Sequence, residues 1–247
     1  MGDRRRADDR ATGELPRHPR PRRFTPLKDS CSVRVRVIHN VGAGDGAIGK
    51  DALKHAINIA GHQIVSYATT DDKWRRGISR RDDLVVVAGG DGTVRKALTA
   101  IVSSPARVGI VPLGRANNIA RSLGADSDDP LSVISSWADP VPVIHLDIPT
   151  VESRKGHRPF VEGVGGGLFA ELVRRADQRE ADTGRSVDVW HTFHQVLRDS
   201  EARPWNVGVD GDDRSGRYLA VHATTLVHTG PNIPIAPAPV RTTASLN

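Results

Sequence analysis

The sequence reads as an α/β protein: a doubly wound parallel sheet with helices on both faces, followed by a mainly β second part. Three observations predict this. Leu84–Ala88 is an uninterrupted apolar run, as a central parallel strand covered on both faces requires. Strand-like and helix-like periods alternate up to about residue 140. Beyond that point short alternating segments take over.

Each element follows from its local pattern. Ser32–Asn40 alternates Val33, Val35 and Val37 with Arg34 and Arg36 and reads as a strand. A turn with Gly42, Gly44, Gly46 and Gly49 leads into a helix whose apolar face is Leu53, Ala56, Ile57 and Ala60, stopped by Gly61. His62–Ala68 is a second strand. After the Leu84–Ala88 strand comes Gly89-Gly-Asp-Gly-Thr93, and from Thr93 the positions Val94, Ala97, Leu98, Ile101 and Val102 repeat at helical spacing. Val108–Val111 is another buried strand, Pro112–Ala116 a turn, and Asn117–Leu123 a short helix ended by Gly124. In the later part, Val141–Val151, Pro159–Val164, Trp205–Val209 and Arg217–His228 read as strands, with Asp210–Gly216 as a hairpin turn. Leu168–Ala176 and Val187–Asp199 read as helices. The expected organisation is a disordered basic arm over 1–28, a first domain over 29–140 and an incomplete β-rich domain over 141–247.

Composition narrows the function classes. The 247 residues carry a net charge of +6, but residues 1–28 alone hold nine Arg/Lys against four Asp/Glu, so the folded body is nearly balanced. With aromatics at 4%, a nucleic-acid role is disfavoured. The arm is expected to be solvated, with attraction to a membrane surface as the alternative. A single cysteine, Cys31, excludes an internal disulfide framework and a cysteine-rich zinc site. No run of 18 apolar residues occurs and the Arg- and Pro-rich N-terminus lacks an apolar central stretch, so a cytoplasmic protein without a transmembrane segment is expected. Oligomeric state leaves no trace in the sequence.

The chemistry-bearing residues gather at three turns. Gly44-Asp-Gly46-Ala-Ile-Gly49 fits G-x-G-x-x-G between a strand and a helix, with Asp71 and Asp72 about 20 residues on; a plain turn explains it equally well. Gly44–Lys50 also fits G-x-x-x-x-G-K, but Asp51 stands where a hydroxyl is needed and would repel phosphate. The second turn combines what a phosphate site requires. Gly89, Gly90 and Gly92 let backbone amides approach closely, the helix start adds partial positive charge, Asp91 can hold a divalent cation, and Thr93 can cap the helix or bond phosphate. The third, Pro112–Arg121, belongs at the same carboxyl edge of the sheet. There Arg115 can contact phosphate and Asn117 or Asn118 can cap the helix or bond a ligand. His191 and His194 share a helix face without a third ligand and read as packing or surface. No G-x-S-x-G or Cys–His pair supports nucleophilic catalysis.

Taken in order, Ile38-His-Asn40-Val-Gly-Ala-Gly44, Thr70, Gly89-Gly-Asp-Gly-Thr93, Pro112-Leu-Gly-Arg-Ala-Asn-Asn118 and Phe160-Val-Glu-Gly-Val-Gly-Gly-Gly-Leu-Phe169 resemble the diacylglycerol kinase catalytic family, which includes bacterial lipid kinases and sphingosine kinases. The resemblance runs from about residue 33 to about 240. It implies a Rossmann-like nucleotide domain followed by a β-sandwich-like domain, with ATP and Mg2+ in the cleft and a lipid substrate approaching from a membrane surface. It further implies that Asn40 and Gly44 line the nucleotide site, that Thr70 bonds ATP, and that Gly89, Gly90, Asp91, Gly92 and Thr93 cradle its phosphates. Asp91 would stand at the metal as the catalytic carboxylate.

Two departures from the family pattern stand out. Arg115 replaces a usual Thr, where it can serve as a phosphate ligand, and Asn118 replaces a common Asp. Pro234-Ile-Ala-Pro-Ala-Pro-Val resembles the approach to an Asp-Gly element carrying the proposed general base, and Arg241–Asn247 follows instead. Asp210 and Gly211 belong to the earlier hairpin and do not replace it. The leading expectation is transfer of the γ-phosphoryl group of ATP to a diacylglycerol-like lipid hydroxyl. A catalytically impaired nucleotide-binding remnant comes second. An NAD kinase comes third, resting on Gly-Gly-Asp-Gly alone.

Overall fold

The computed structural model describes residues 33–234, apart from 72, 73, 75–77, 79–81, 103, 105, 136, 138–142, 186 and 230–232. The expected arm, Cys31, Asp72 and most of the Pro-rich C-terminal stretch therefore lie outside the described residues. A four-stranded parallel sheet organises the first part, built from β1 (Arg34–His39), β2 (Gln63–Thr69), β3 (Leu84–Gly89) and β4 (Arg107–Pro112) in the order β2-β1-β3-β4. Helix α1 (Lys50–Ile59) connects β1 to β2 and α2 (Asp91–Ile101) connects β3 to β4, as parallel neighbours demand. Two short helices follow, α3 (Asn118–Ser122) and α4 (Ser132–Ser135).

Alternation along the strands explains why both faces are covered. On one face Val35, Val37, Val86, Ala88 and Val111 pack with Leu53 and Ile57 of α1 and Ile134 of α4. On the other, Ile38, Val85, Val87 and Ile110 pack with Val94, Ala97 and Leu98 of α2 and Ile119 of α3. Each such aliphatic side chain, once fully buried, contributes roughly 1.5–3 kcal/mol. The charge of Arg36, in the middle of β1, is compensated where it stands: its guanidinium donates to Asp82 at 2.7 Å and to Ser66 Oγ at 2.8 Å.

The later part departs from the expected sandwich. Its strands are β5 (Thr150–Ser153), β6 (Gly156–Pro159), β7 (Gly163–Gly167), β8 (Arg203–Trp205), β9 (Gly208–Val209), β10 (Asp212–Asp213), β11 (Gly216–Tyr218), β12 (Ala220–Thr224), β13 (His228–Thr229) and β14 (Ile233–Pro234). Among the described residues these pair only in twos: β5 with β6, β7 with β12, β8 with β11, β9 with β10, and β13 with β14. Residues 143–149, expected as strand, carry no regular structure. The expected Pro159–Val164 strand is cut at Glu162, whose φ of 76° lies in the left-handed region and cannot continue a ladder. The hairpin around Asp210 is present but tighter than expected, with Asp210 and Gly211 both at positive φ, as a two-residue turn of the primed type requires.

Helices α5 (Leu168–Thr183) and α6 (Val189–Asp199) pack on one another through Leu168, Leu172 and Val196. α5 outruns its expected end at Ala176 because Gly184, at φ 62°, supplies the left-handed stop. The later part is not walled off from the sheet: Val161 and Leu226 are buried in the same apolar cluster as Ile38 and Val87.

The glycines of β7 are explained by what lies across from them. A Cβ on Gly165 would stand 2.6 Å from His222 Nδ1, and one on Gly166 would stand 2.6 Å from the ring edge of Trp205. β7 is thus a bare ribbon with a ring against each face.

Candidate functional site

The strand order decides where a ligand can sit. From β1 the chain moves outward to β2, and from β3 it moves the opposite way to β4, so the crevice beyond the carboxyl ends of β1 and β3 is the topological switch point. Asn40, Thr70, the Gly89–Thr93 turn and the Leu113–Asn117 turn all emerge at this edge. Backbone bonds carry the sheet pattern into it: Asn40 N–H donates to Ala88 O (2.9 Å), Thr70 N–H to His39 O (3.1 Å) and Leu113 N–H to Gly89 O (3.1 Å). Asn40 then ties two turns together, its Oδ1 accepting from Gly42 N–H (3.3 Å) and its Nδ2 donating to Thr93 Oγ1 (3.3 Å).

Glycine lets the three turns touch backbone to backbone. Gly44, at φ 61°, faces Leu113 O, which a Cβ would approach to 3.0 Å. Gly90 lies against Gly114, and the space beside Gly89 is filled by the Thr93 side chain. Gly92 differs. It lies in the first turn of α2, and a Cβ there would meet no atom within 4 Å.

Helix α2 starts two residues earlier than the apolar period suggests, at Asp91 with Gly90 as its cap. Thr93 and Val94 donate back to Gly90 O at 2.9 and 3.0 Å. The amides of Asp91 and Gly92 come before these and have no carbonyl inside their own helix, so they lie at the positive end of the helix dipole. Asp91 Oδ1 accepts from Ile119 N–H at 2.9 Å, which joins the first turns of α2 and α3. Thr93 is 7% exposed and bonded to Asn40, so its hydroxyl points inward rather than capping the helix.

Asn117 sits at φ 49°, and its amide closes on Gly114, accepting from N–H at 2.8 Å and donating to O at 2.9 Å. It is a turn clip, not a cap of α3. Arg115, held at the tip of that clip, is exposed.

One residue at this edge was not singled out by the sequence. Glu162, in the turn between β6 and β7, accepts a hydrogen bond from the Asn118 side chain and faces Asp91 and Arg95. Burial, and then the negative charge of Asp91, push its carboxyl above the usual range, while Asn118 and Arg95 pull the other way. Its backbone is fixed from β12: Glu162 O accepts from Thr224 Oγ1 at 2.7 Å and from Thr225 N–H at 2.9 Å. The only signal in the sequence was a carboxylate within the Phe160–Phe169 stretch. Asp91, Glu162 and Asn118 bring carboxylate and amide oxygens together, the hard donors that Mg2+ takes alongside substrate phosphates.

Behind the first turn, His39 is fully buried with its Nδ1 on Tyr67 OH, and Lys50 and Lys54 lie over the tyrosine ring at 5.1 and 5.4 Å.

The sequence profile of the diacylglycerol kinase catalytic domain matches residues 34–144. The chain is similar to a diacylglycerol kinase of Bacillus subtilis (strain 168), 29% identical over 153 residues, covering 57% of this chain and 48% of that protein. A diacylglycerol kinase of Staphylococcus haemolyticus is 30% identical over 102 residues, 38% of this chain and 31% of that protein. The matches thus span about half or less of these relatives' length. A crystal structure of a diacylglycerol kinase from Bacillus anthracis str. Sterne superposes with a TM-score of 0.60 at 19% identity, covering 84% of this chain and 71% of that one, a likeness of fold.

Proposed function

We propose, from the match of residues 34–144 to the diacylglycerol kinase catalytic domain, that this chain transfers the γ-phosphoryl group of ATP to a lipid hydroxyl of the diacylglycerol kind. The observation that carries the reading is the open helix start at Gly92. The glycines closest to it in the three turns, Gly44, Gly89, Gly90 and Gly114, would each bring a Cβ to 3.0 Å or less from protein, while at Gly92 no atom lies within 4 Å of that position.

Phosphoryl transfer asks mainly for alignment and for positive potential at the equatorial oxygens. The α2 amides and the helix dipole supply that potential for the phosphates, with the Gly42–Gly46 turn beside them and Arg115 free to swing in from its exposed tip. Mg2+, held at Asp91 with Glu162 and Asn118 nearby, would neutralise phosphate charge. Thr70, at the neighbouring strand end, is proposed to bond the nucleotide. No helix among the described residues is long and apolar enough to cross a membrane. The relatives named diacylglycerol kinase support a lipid acceptor, so the reaction is proposed to take place at a membrane surface.

The test is a transfer assay with γ-labelled ATP, Mg2+ and vesicles of mixed lipids, comparing wild type with Asp91→Asn. An Asn there still accepts from Ile119 N–H, so the fold is kept. Label is expected in the lipid fraction, reduced about a hundredfold or more in the variant. Equal, background incorporation by both proteins contradicts the reading.

A further inference from the structure

We propose that Glu162 is the second carboxylate met, beside Asp91, by the divalent cation that accompanies the nucleotide, and that Asn118 is the donor holding it there. The inference rests on the phosphoryl-transfer reading and adds a residue from the later half of the chain to its site.

The argument begins with the backbone. Four described residues other than glycine have positive φ: Asp45, Asn117, Glu162 and Asp210. Asn and Asp adopt that region readily, and glutamate does not. Glu162 is kept in it by the two bonds on its carbonyl, and the result is a side chain delivered to Asn118 rather than to solvent.

Electrostatics then gives the placement its meaning. Asn118 is 3% exposed and opens the helix whose next amide is bonded to Asp91. Glu162 therefore sits against the same helix turn as Asp91, and two carboxylates share one side of a phosphate-binding crevice. Without a cation such a pair repels both itself and an incoming triphosphate. With Mg2+ between them and the phosphates, the same charges become ligands. An Asp at position 118 would crowd a third carboxylate into the cluster. The amide found there donates instead, so the negative charge is carried from position 162.

The two roles of that charge have opposite signs, which makes the proposal testable. Binding of Mn2+ with a non-hydrolysable ATP analogue is followed by electron paramagnetic resonance and by calorimetry, and the metal-free analogue is titrated in parallel. Glu162→Gln is expected to weaken the Mn2+ complex about tenfold while metal-free nucleotide binds as well as before or better. The double variant Asn118→Asp/Glu162→Gln is expected to recover Mn2+ affinity. Glu162→Gln should melt at or above the wild type, since it removes a like charge from beside Asp91. If it does not fold, Glu162→Asn, which tolerates positive φ, is read in its place. The proposal is overturned if the variant binds the Mn2+ complex like the wild type, if both affinities fall together, or if the double variant fails to recover. A wild type that binds neither form overturns the phosphoryl-transfer reading itself, and this inference with it.

Discussion

Gly90 and Gly114 meet through their backbones: a Cβ on Gly90 would stand 3.0 Å from Gly114 Cα, and a Cβ on Gly114 would stand 2.6 Å from Gly90 Cα. This contact locks the turn after β3 to the turn after β4 and sets the direction in which α2 presents its first amides. At the same edge Gly44, Gly90 and Gly114 let turns touch, whereas Gly92, in the first turn of α2, has no atom within 4 Å of where a Cβ would stand.

That contrast gives the first prediction. Gly92→Ala relieves the entropic cost of glycine in a helix and is expected to raise stability by roughly 0.5–1 kcal/mol. The added methyl projects into the space before the helix start, so MgATP affinity should fall about tenfold. Urea unfolding and calorimetry read the two effects separately. A variant that is more stable and binds equally well removes Gly92 from the ligand's path.

Gly165 belongs to the other kind. Its substitution by Ala would bring Cβ to 2.6 Å from His222 Nδ1 and 2.9 Å from His222 Cα, and the backbone on β12 has no room to yield. A loss of about 2–3 kcal/mol is expected from urea unfolding, as for other overpacked sites. A change under about 0.5 kcal/mol would mean that the β7–β12 ladder is looser than described.

His39 predicts a pH effect. Burial holds its imidazole below the usual value of 6.5, with the Ile48 backbone pulling weakly the other way. Below 6.5 the unfolded chain takes up a proton that the folded chain refuses, so this contribution is complete above 6.5 and is lost as pH falls beneath it. His62 and His222, lowered by burial alone, act in the same direction. Glu171, drawn down to about 2 by Arg174 and then Arg175, acts only at lower pH. Glu162 opposes, since a raised carboxyl costs stability as pH rises. The histidine term is therefore read as a difference. The drop in Tm between pH 7.5 and 5.5 should be smaller in His39→Gln than in the wild type. An equal drop in the two would show that His39 is not the proton-excluding group.

Much of the first part was legible because its signals are local. The valines of β1 and β3 announce a sheet covered on both faces, and glycine-rich turns mark where strands give way to helices. The start of α2 was misread by two residues because Gly-Asp-Gly carries no apolar period, although it is already helical. The later strands were blurred for a different reason. In β7 the pattern is erased by glycines whose purpose is to admit His222 and Trp205, and both of these come from far along the sequence. Asn117 looked like a cap and is a clip on Gly114, a distinction that depends on its left-handed backbone. Glu162 could not be recognised at all, because its role comes from Asn118 and Asp91, brought to it only by the fold.

The central claim is that the α2 start, bracketing Asp91, grips a triphosphate. The direct measurement is a titration of MgATP into 15N-labelled protein, followed by amide chemical shifts. The account predicts saturable shifts concentrated at Gly90–Thr93 and Gly42–Gly46 and abolished by Gly92→Val. Amides at both turns that stay unmoved at millimolar MgATP would contradict it.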